Sequence, residues 1–336
     1  MTAAEMGDRA CQGRRNDGET AGGKGLMGRK IEPEQKRREN QPPADTKQSG
    51  KTASQKPQRD QDWHIPPGNQ RVRAMTIPSM PKSGRIIPTL EADGYTQMAL
   101  DALLLRESHR RPVPVLRFYR WTGPWLSLGL HQRRWPSHWD DLARSGALAM
   151  VRRPSGGGAV LHAGGLTYAL IWPDAPRQRH EAYRQACQWL IAGFNSLGLS
   201  LRFGDEGADS IDANCFARST PADLVDSQGV KRIGSAQRWS HGHLLQHGEI
   251  LLNPPMQLWI NVFGEPAPEP ASEILAGVDL EEHLSMALQR QFPDMPWEVE
   301  TLSHQERQEM ERLASSPEVC GRIDSTTWGS IIRPRG

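Results

Sequence analysis

The sequence predicts an α+β (mixed α/β) domain with a largely antiparallel sheet flanked by helices. Short runs of alternating apolar and polar residues are joined by glycine turns, the mark of hairpins. Helical spacing of apolar residues recurs only a few times between them, too seldom for a doubly wound parallel sheet.

The elements follow in order. Glu91-Ala92-Asp93-Gly94 opens a helix in which Tyr95, Met98, Ala99, Ala102 and Leu103 form one apolar stripe. Val115–Trp121 and Leu126–Leu130 read as strands around a Thr122-Gly123-Pro124 turn, and Ala147–Val151 as a third. Ala159–His162 and Leu166–Trp172 flank Ala163-Gly164-Gly165 and read as a short antiparallel hairpin. A long helix follows from about Glu181, with Tyr183, Ala186, Cys187, Leu190, Ile191 and Phe194 inward and Gly198 at its end. Cys187 on that stripe reads as a small hydrophobe. Leu199–Phe203 is a strand, and Gly204–Asn214 a polar segment leading to Cys215-Phe216. Arg232–Trp239 and His243–Leu252 form a hairpin across Ser240-His241-Gly242. Amphipathic helices close the chain over Glu281–Phe292 and Gln305–Leu313.

The charge is unevenly placed. Residues 1–85 carry 17 Lys+Arg against 10 Asp+Glu, and the remainder 24 against 29. The first segment is poor in apolar residues, so it cannot offset its chain entropy by burial and reads as a disordered basic tail. It has neither the apolar core of a signal peptide nor the acid-poor make-up of a transit peptide. Met75 and Met80 are alternative starts. The expected organisation is a tail over 1–85, a catalytic domain over 86–295, and a helical extension and tail over 296–336. No run approaches the roughly 18 apolar residues of a membrane span. The four cysteines are widely spaced, without the Cys-x-x-Cys of a zinc site, so no metal is expected. Cysteine usage predicts a cytoplasmic, reducing setting. Acidic residues are interleaved with the basic ones in the tail and no aromatic ladder accompanies them, so nucleic acid is not an expected partner.

Three motifs carry candidate chemistry. Arg152-Arg153-Pro154-Ser155-Gly156-Gly157-Gly158-Ala159 joins paired arginines to a loop whose backbone amides can approach a ligand. It is not a P-loop, because no Gly-Lys-Ser/Thr follows. Lys231 is the one lysine among residues 83–336, against 24 arginines. Its ammonium is a compact charge suited to a carbonyl oxygen, where the guanidinium fork suits carboxylate or phosphate. Small residues follow it, Gly234-Ser235-Ala236-Gln237, and imply close approach to that strand. Gln246-His247-Gly248 lies on the returning strand. Each motif alone has an ordinary structural reading: a glycine turn, a surviving lysine, a core histidine.

In this order, the motifs resemble the lipoate–protein ligase and octanoyltransferase superfamily, which shares its catalytic fold with biotin protein ligase. The resemblance spans about residues 86–295. It includes Ala92-Asp93-Gly94, Gln97-Met98-Ala99-Leu100-Asp101, Leu116–Trp121, Ser127-Leu128-Gly129, Arg152–His162, Leu166-Thr167-Tyr168, Lys231, Gly234–Gln237 and Gln246–Gly248. The arginine–glycine loop differs from that of the biotin branch. Two chemistries occur in the superfamily. Ligases activate free lipoate or octanoate with ATP and magnesium. Octanoyltransferases take octanoate from acyl carrier protein, need no cofactor, and in one class use a cysteine in a segment resembling Ala213-Asn214-Cys215-Phe216.

The resemblance to that class implies Cys215 as nucleophile and Lys231 as the group holding the acyl carbonyl. An ammonium nearby would also lower the thiol pKa. Arg152, Arg153, Ser155, Gly156, Gly157, Gly158, Ala159, Gly234, Ser235, Ala236, Gln237 and His247 would line the substrate site. His162 would assist proton transfer or shape the pocket, and the sequence does not choose between these. The implied partners are acyl carrier protein as donor and the lipoyl domains of 2-oxoacid dehydrogenases or the glycine cleavage protein as acceptors. A rim of Arg110, Arg111, Arg133, Arg134, Arg177 and Arg179 would steer them. Three features depart from the cysteine class or the ligases. Gly156-Gly157-Gly158 stands where cysteine-type transferases often read Gly-Gly-Arg, which is closer to the ligases. The Arg-Asn-Asp run that ligases tend to carry before their lysine is missing, and too little chain follows residue 295 for their accessory domain.

Overall fold

The computed structural model describes residues 83–204, 222–271 and 275–316. Cys215 and the basic tail through residue 82 lie outside the described residues. The elements are β1 (Gly84–Ala92), α1 (Gly94–Glu107), β2 (Val115–Trp121), β3 (Trp125–Leu128), α2 (Ser137–Arg144), β4 (Ala149–Arg152), β5 (Val160–His162), β6 (Leu166–Trp172) and α3 (Arg179–Ser196). They continue with β7 (Arg202–Phe203), β8 (Leu224–Val225), β9 (Lys231–Ser240), β10 (His243–Ile250), α4 (Met256–Phe263), α5 (Leu280–Gln291), β11 (Trp297–Val299) and α6 (His304–Ala314).

Eight strands form one mixed sheet in the order β11-β1-β2-β6-β10-β9-β8-β7, and three form a second in the order β4-β3-β5. In the large sheet β1 runs parallel to β2 and β11, and the remaining neighbours are antiparallel. The predicted fold class therefore holds.

Alternation on β6 and β10 assigns the two faces of the large sheet. Ala169, Ile171 and Leu245 share a core with Met98, Leu103 and their neighbours on α1. Leu166, Tyr168, Leu170 and Ile250 share another with Trp189 and Phe194 of α3 and Leu284 of α5. Helix α1 starts at the Asp93 cap, whose carboxylate accepts from the Thr96 amide at 2.8 Å. It is buried from Gln97 to Arg106, well beyond the predicted stripe, because α6 packs on the side the sheet leaves open. Cys187 is fully buried on α3, as its stripe predicts, and burial pushes its thiol up to about 12. The second sheet packs Leu126, Leu128 and Leu161 against Trp139 of α2 and Trp259 of α4.

Two expectations are corrected. The strands flanking Ala163-Gly164-Gly165 are not a hairpin: β5 pairs with β3 in the small sheet, whereas β6 pairs with β2 and β10 in the large one. The Thr122-Gly123-Pro124 turn likewise passes the chain from one sheet to the other rather than folding β3 onto β2. The predicted β9–β10 hairpin does form, with Ser240 opposite His243 and positive φ at His241 and Gly242. Of the residues read as a C-terminal extension, β11 pairs with β1 and α6 packs on α1.

Candidate active site

A cavity of about 50 Å³ lies between the two sheets and brings together most of the motif residues. Arg153, Gly156 and Gly157 of the glycine loop, His162 of β5, Gly234, Ser235 and Ala236 of β9 and His247 of β10 all line it. A larger cavity of about 380 Å³ between α1 and α6 holds none of them and is bordered by ion pairs such as Arg85–Glu306 and Arg106–Glu309. The smaller cavity is the candidate site, because the chemistry converges there.

The glycine loop is held from within. Arg153 donates from Nη2 to the carbonyls of Gly156 and Gly158, each at 2.7 Å, and from Nη1 to Ser127 O at 2.9 Å. Arg152 donates to the carbonyls of Gly129 at 2.6 Å and Gln132 at 2.8 Å. Burial pushes the Arg152 guanidinium pKa down, and neighbouring Arg133 adds to the effect. Gly157 takes a φ of 95°, and a Cβ on Gly129 would meet Gly157 O at 1.9 Å. Only glycine allows that approach. The paired arginines, expected at the substrate site, thus also shape the loop. Gly158 contributes a carbonyl to this clamp, and Ala159 packs fully buried in the core under the small sheet.

Two buried relays reach the cavity. In the first, Asp101 Oδ2 meets His247 Nδ1 at 2.7 Å, and His247 Nε2 meets Ser155 Oγ at 2.5 Å. Burial alone would raise the Asp101 carboxyl, but Arg117, at 2.7 Å, and His247 hold it below its usual range. In the second, Glu249 Oε2 meets His162 Nδ1 at 2.7 Å, and His162 Nε2 meets Ser127 Oγ at 2.8 Å. Thr167 donates to the same Glu249 oxygen at 2.5 Å, and the Trp121 ring stacks on His162 at 3.9 Å. Burial lowers the His162 pKa, outweighing the pull of Glu249.

Lys231 opens β9 three residues before the cavity wall begins at Gly234. It is 5% exposed, and its Nζ lies 3.0 Å from Asp223 Oδ2. Its ammonium is therefore paired with a buried carboxylate. Gln237 faces the α3 side, where it donates to Gln246 Oε1 at 2.8 Å, and Gln246 donates to Tyr168 OH at 2.9 Å. Tyr168 OH is 2.8 Å from Ser235 Oγ. Gln237 thus supports the cavity strand from behind and does not line the cavity.

The sequence reading missed Asp101, Ser127, Glu249 and Asp223. Asp101 was legible as a charge within the apolar helix run Met98–Leu105, and Glu249 as the residue that shares a strand face with His247. Asp223 had no such signal, because the strand it precedes, Leu224–Val225, is only two residues long.

A family model, the lipoyl protein ligase A/B catalytic domain, matches residues 93–295. The chain belongs to this family. Within the lipoyl protein ligase A/B family, relatives named octanoyltransferase LipM include that of Lysinibacillus sphaericus, 38% identical over 179 residues, or 49% of this chain and 64% of that one. The match therefore spans less than two thirds of that relative. The one from Halalkalibacterium halodurans is 35% identical over 196 residues, covering 54% and 71%. Among solved structures, a lipoate-protein ligase A bound with ATP superposes with a TM-score of 0.60 at 19% identity, over 72% of this chain and 99% of that one. A T. acidophilum protein of the lipoate protein ligase type, with bound lipoic acid, gives 0.60 at 19% identity, over 70% and 98%. At such identities these two share the fold.

Proposed function

We propose that the protein is an acyltransferase of protein lipoylation, moving an octanoyl group from acyl carrier protein to a lysine of a lipoyl domain through a thioester on Cys215. The observation that carries this reading is the identity to proteins named octanoyltransferases, together with the Ala213-Asn214-Cys215-Phe216 segment. The Cys215 thiolate attacks the carbonyl of the octanoyl thioester and expels the carrier thiolate, which takes up a proton. The acceptor lysine amine then attacks the new thioester, loses a proton and expels the Cys215 thiolate. Thioester exchange is close to isoenergetic, so the first step needs no nucleotide. Lys231, whose Nζ lies 3.0 Å from Asp223 Oδ2, is suited to the negative charge that develops on the carbonyl oxygen.

The second reading is an ATP- and magnesium-dependent lipoate–protein ligase, favoured by the triple glycine. Against it, Arg152 and Arg153, the cations nearest that loop in sequence, are engaged by loop carbonyls and do not form an open phosphate cradle. The expected steering rim is weakened too, since Arg110 and Arg111 are met by Glu107 and Glu300. No described helix is long and apolar enough to cross a membrane, and a cytoplasmic site of action is part of the proposal.

Intact-mass spectrometry after incubation with octanoyl–acyl carrier protein, without ATP, separates the two readings. The transferase reading requires an octanoyl adduct on Cys215 that chases onto an apo lipoyl domain. Transfer that appears only with ATP and free lipoate or octanoate replaces it with the ligase.

A further inference from the structure

The cavity has a direction set by strand register. Gly234 of β9 pairs with Glu249 of β10, Glu249 with Thr167 of β6, and Thr167 with Tyr119 of β2. All four residues line the cavity, so it crosses four strands in one row. At roughly 4.8 Å per strand that row is about 14 Å long. Its β9 end is walled by Gly234, three residues along the strand from Lys231. Its β2 end meets Met98 of α1, which with Tyr119 is almost fully buried.

The Tyr119 side of that end is fixed. Its hydroxyl donates to Asp101 Oδ2 at 3.0 Å, and the Arg117 guanidinium lies over its ring at 3.9 Å. Arg117 is itself held by Asp101 and by Gln97, to whose side-chain oxygen it donates at 2.9 Å. The polar walls between the two ends are turned toward one another, since Glu249 is taken by His162 and Thr167, and Ser127 by His162. The row thus ends against a locked aromatic ring and one flexible thioether. The row of wall residues ends at Met98 and Tyr119, so its length of about 14 Å bounds the chain it can take.

We propose that Met98 and Tyr119 form the far wall that limits acyl-chain length, so that the site takes a medium-length acyl group and rejects longer ones. This rests on the acyl-transfer reading of the same site. Met98 is the adjustable half of the wall, and Tyr119 the fixed half.

The test uses the full chain and a series of acyl–acyl carrier proteins with saturated chains from about six to fourteen carbons, supplied without ATP. Met98→Leu, Met98→Val and Met98→Ala are compared with the native protein. The expected result is a chain-length optimum that moves upward as the side chain shortens. Met98→Ala should gain at least about tenfold in kcat/KM for chains two to four carbons longer, relative to the native optimum. A folded series that keeps the native profile overturns the proposal, as does a uniform loss at every length. A parallel readout is thermal stabilisation by free fatty acids of the same lengths. If no acyl group is transferred at all, the transfer reading fails, while the thermal series still shows whether trimming Met98 admits longer chains. If Met98→Ala fails to fold, the leucine and valine variants decide the result.

Discussion

Asp101 and His247 are 146 positions apart in sequence, yet Oδ2 and Nδ1 meet at 2.7 Å with both side chains buried. The contact joins the core helix to the strand that walls the cavity. The same carboxylate also pairs with Arg117 at 2.7 Å and accepts from Tyr119. Asp101→Asn would leave a buried guanidinium without its counter-charge. We expect a loss of about 3–5 kcal/mol in stability, the usual cost of breaking one side of a buried pair. Equilibrium urea unfolding of the two proteins checks this, and a loss below about 1 kcal/mol would show that the network is dispensable.

On the proposed acyl-transfer reading, Lys231 is the cation that meets the developing oxyanion. Lys231→Met removes its charge while keeping much of its length. The expected outcome is a fall in kcat of about 10²–10³, the usual effect of losing one oxyanion donor. Steady-state transfer kinetics check it, alongside circular dichroism to confirm that the variant is folded.

Two glycines near the loop should respond oppositely to alanine. A Cβ on Gly129 would meet Gly157 O at 1.9 Å, whereas one on Gly156 would meet nothing within 4 Å. Gly129→Ala is therefore expected to push the glycine loop aside and abolish acyl transfer, and Gly156→Ala to be tolerated structurally. Equal thermal stability and equal activity in the two variants would contradict this reading of the loop.

Acid should release α6 from α1. Glu309 is lowered to about 2, chiefly by its hydrogen bonds with Arg312 and then with Arg106. Burial would raise Glu306, but Arg85 and the Ser303 cap hold it below its ordinary value. A carboxyl depressed on folding contributes stability above its unfolded pKa, and that contribution fades as pH falls through the folded one. Amide exchange in α6 should therefore rise between about pH 4.5 and pH 2. Exchange there that stays flat across this window, while the sheet remains protected, would remove the ion pairs as the clamp.

Most of the helices and the β9–β10 hairpin were legible in the sequence because each follows a local rule. Asp93 caps α1, and His241-Gly242 takes the positive φ of a two-residue turn. The division into two sheets was not legible. Gly164-Gly165 looks the same whether a chain turns back on itself or crosses to another layer, and only tertiary pairing decides. Helices α2 and α4 were missed because they are short, and each is held by Trp139, whose Nε1 donates to Val262 O at 2.7 Å. At the site, the loop glycines and both histidines were readable as motifs. Their carboxylate partners left weaker traces, Asp101 as a charge in an apolar helix run and Glu249 as a strand-face neighbour of His247, and which histidine each meets is decided only by tertiary packing.

Both outer strands of the large sheet are very short, with β11 three residues long and β7 two. A sheet border exposes unpaired amides and carbonyls, which can template the addition of a strand from another molecule. Here each described border offers too short a ladder to hold a foreign strand. The broad eight-stranded platform that carries the cavity is thereby guarded against edge-to-edge aggregation, and on the β1 side that protection depends on Trp297–Val299 staying in place. A truncation before Trp297 would uncover the nine-residue β1 and would show itself first as loss of solubility.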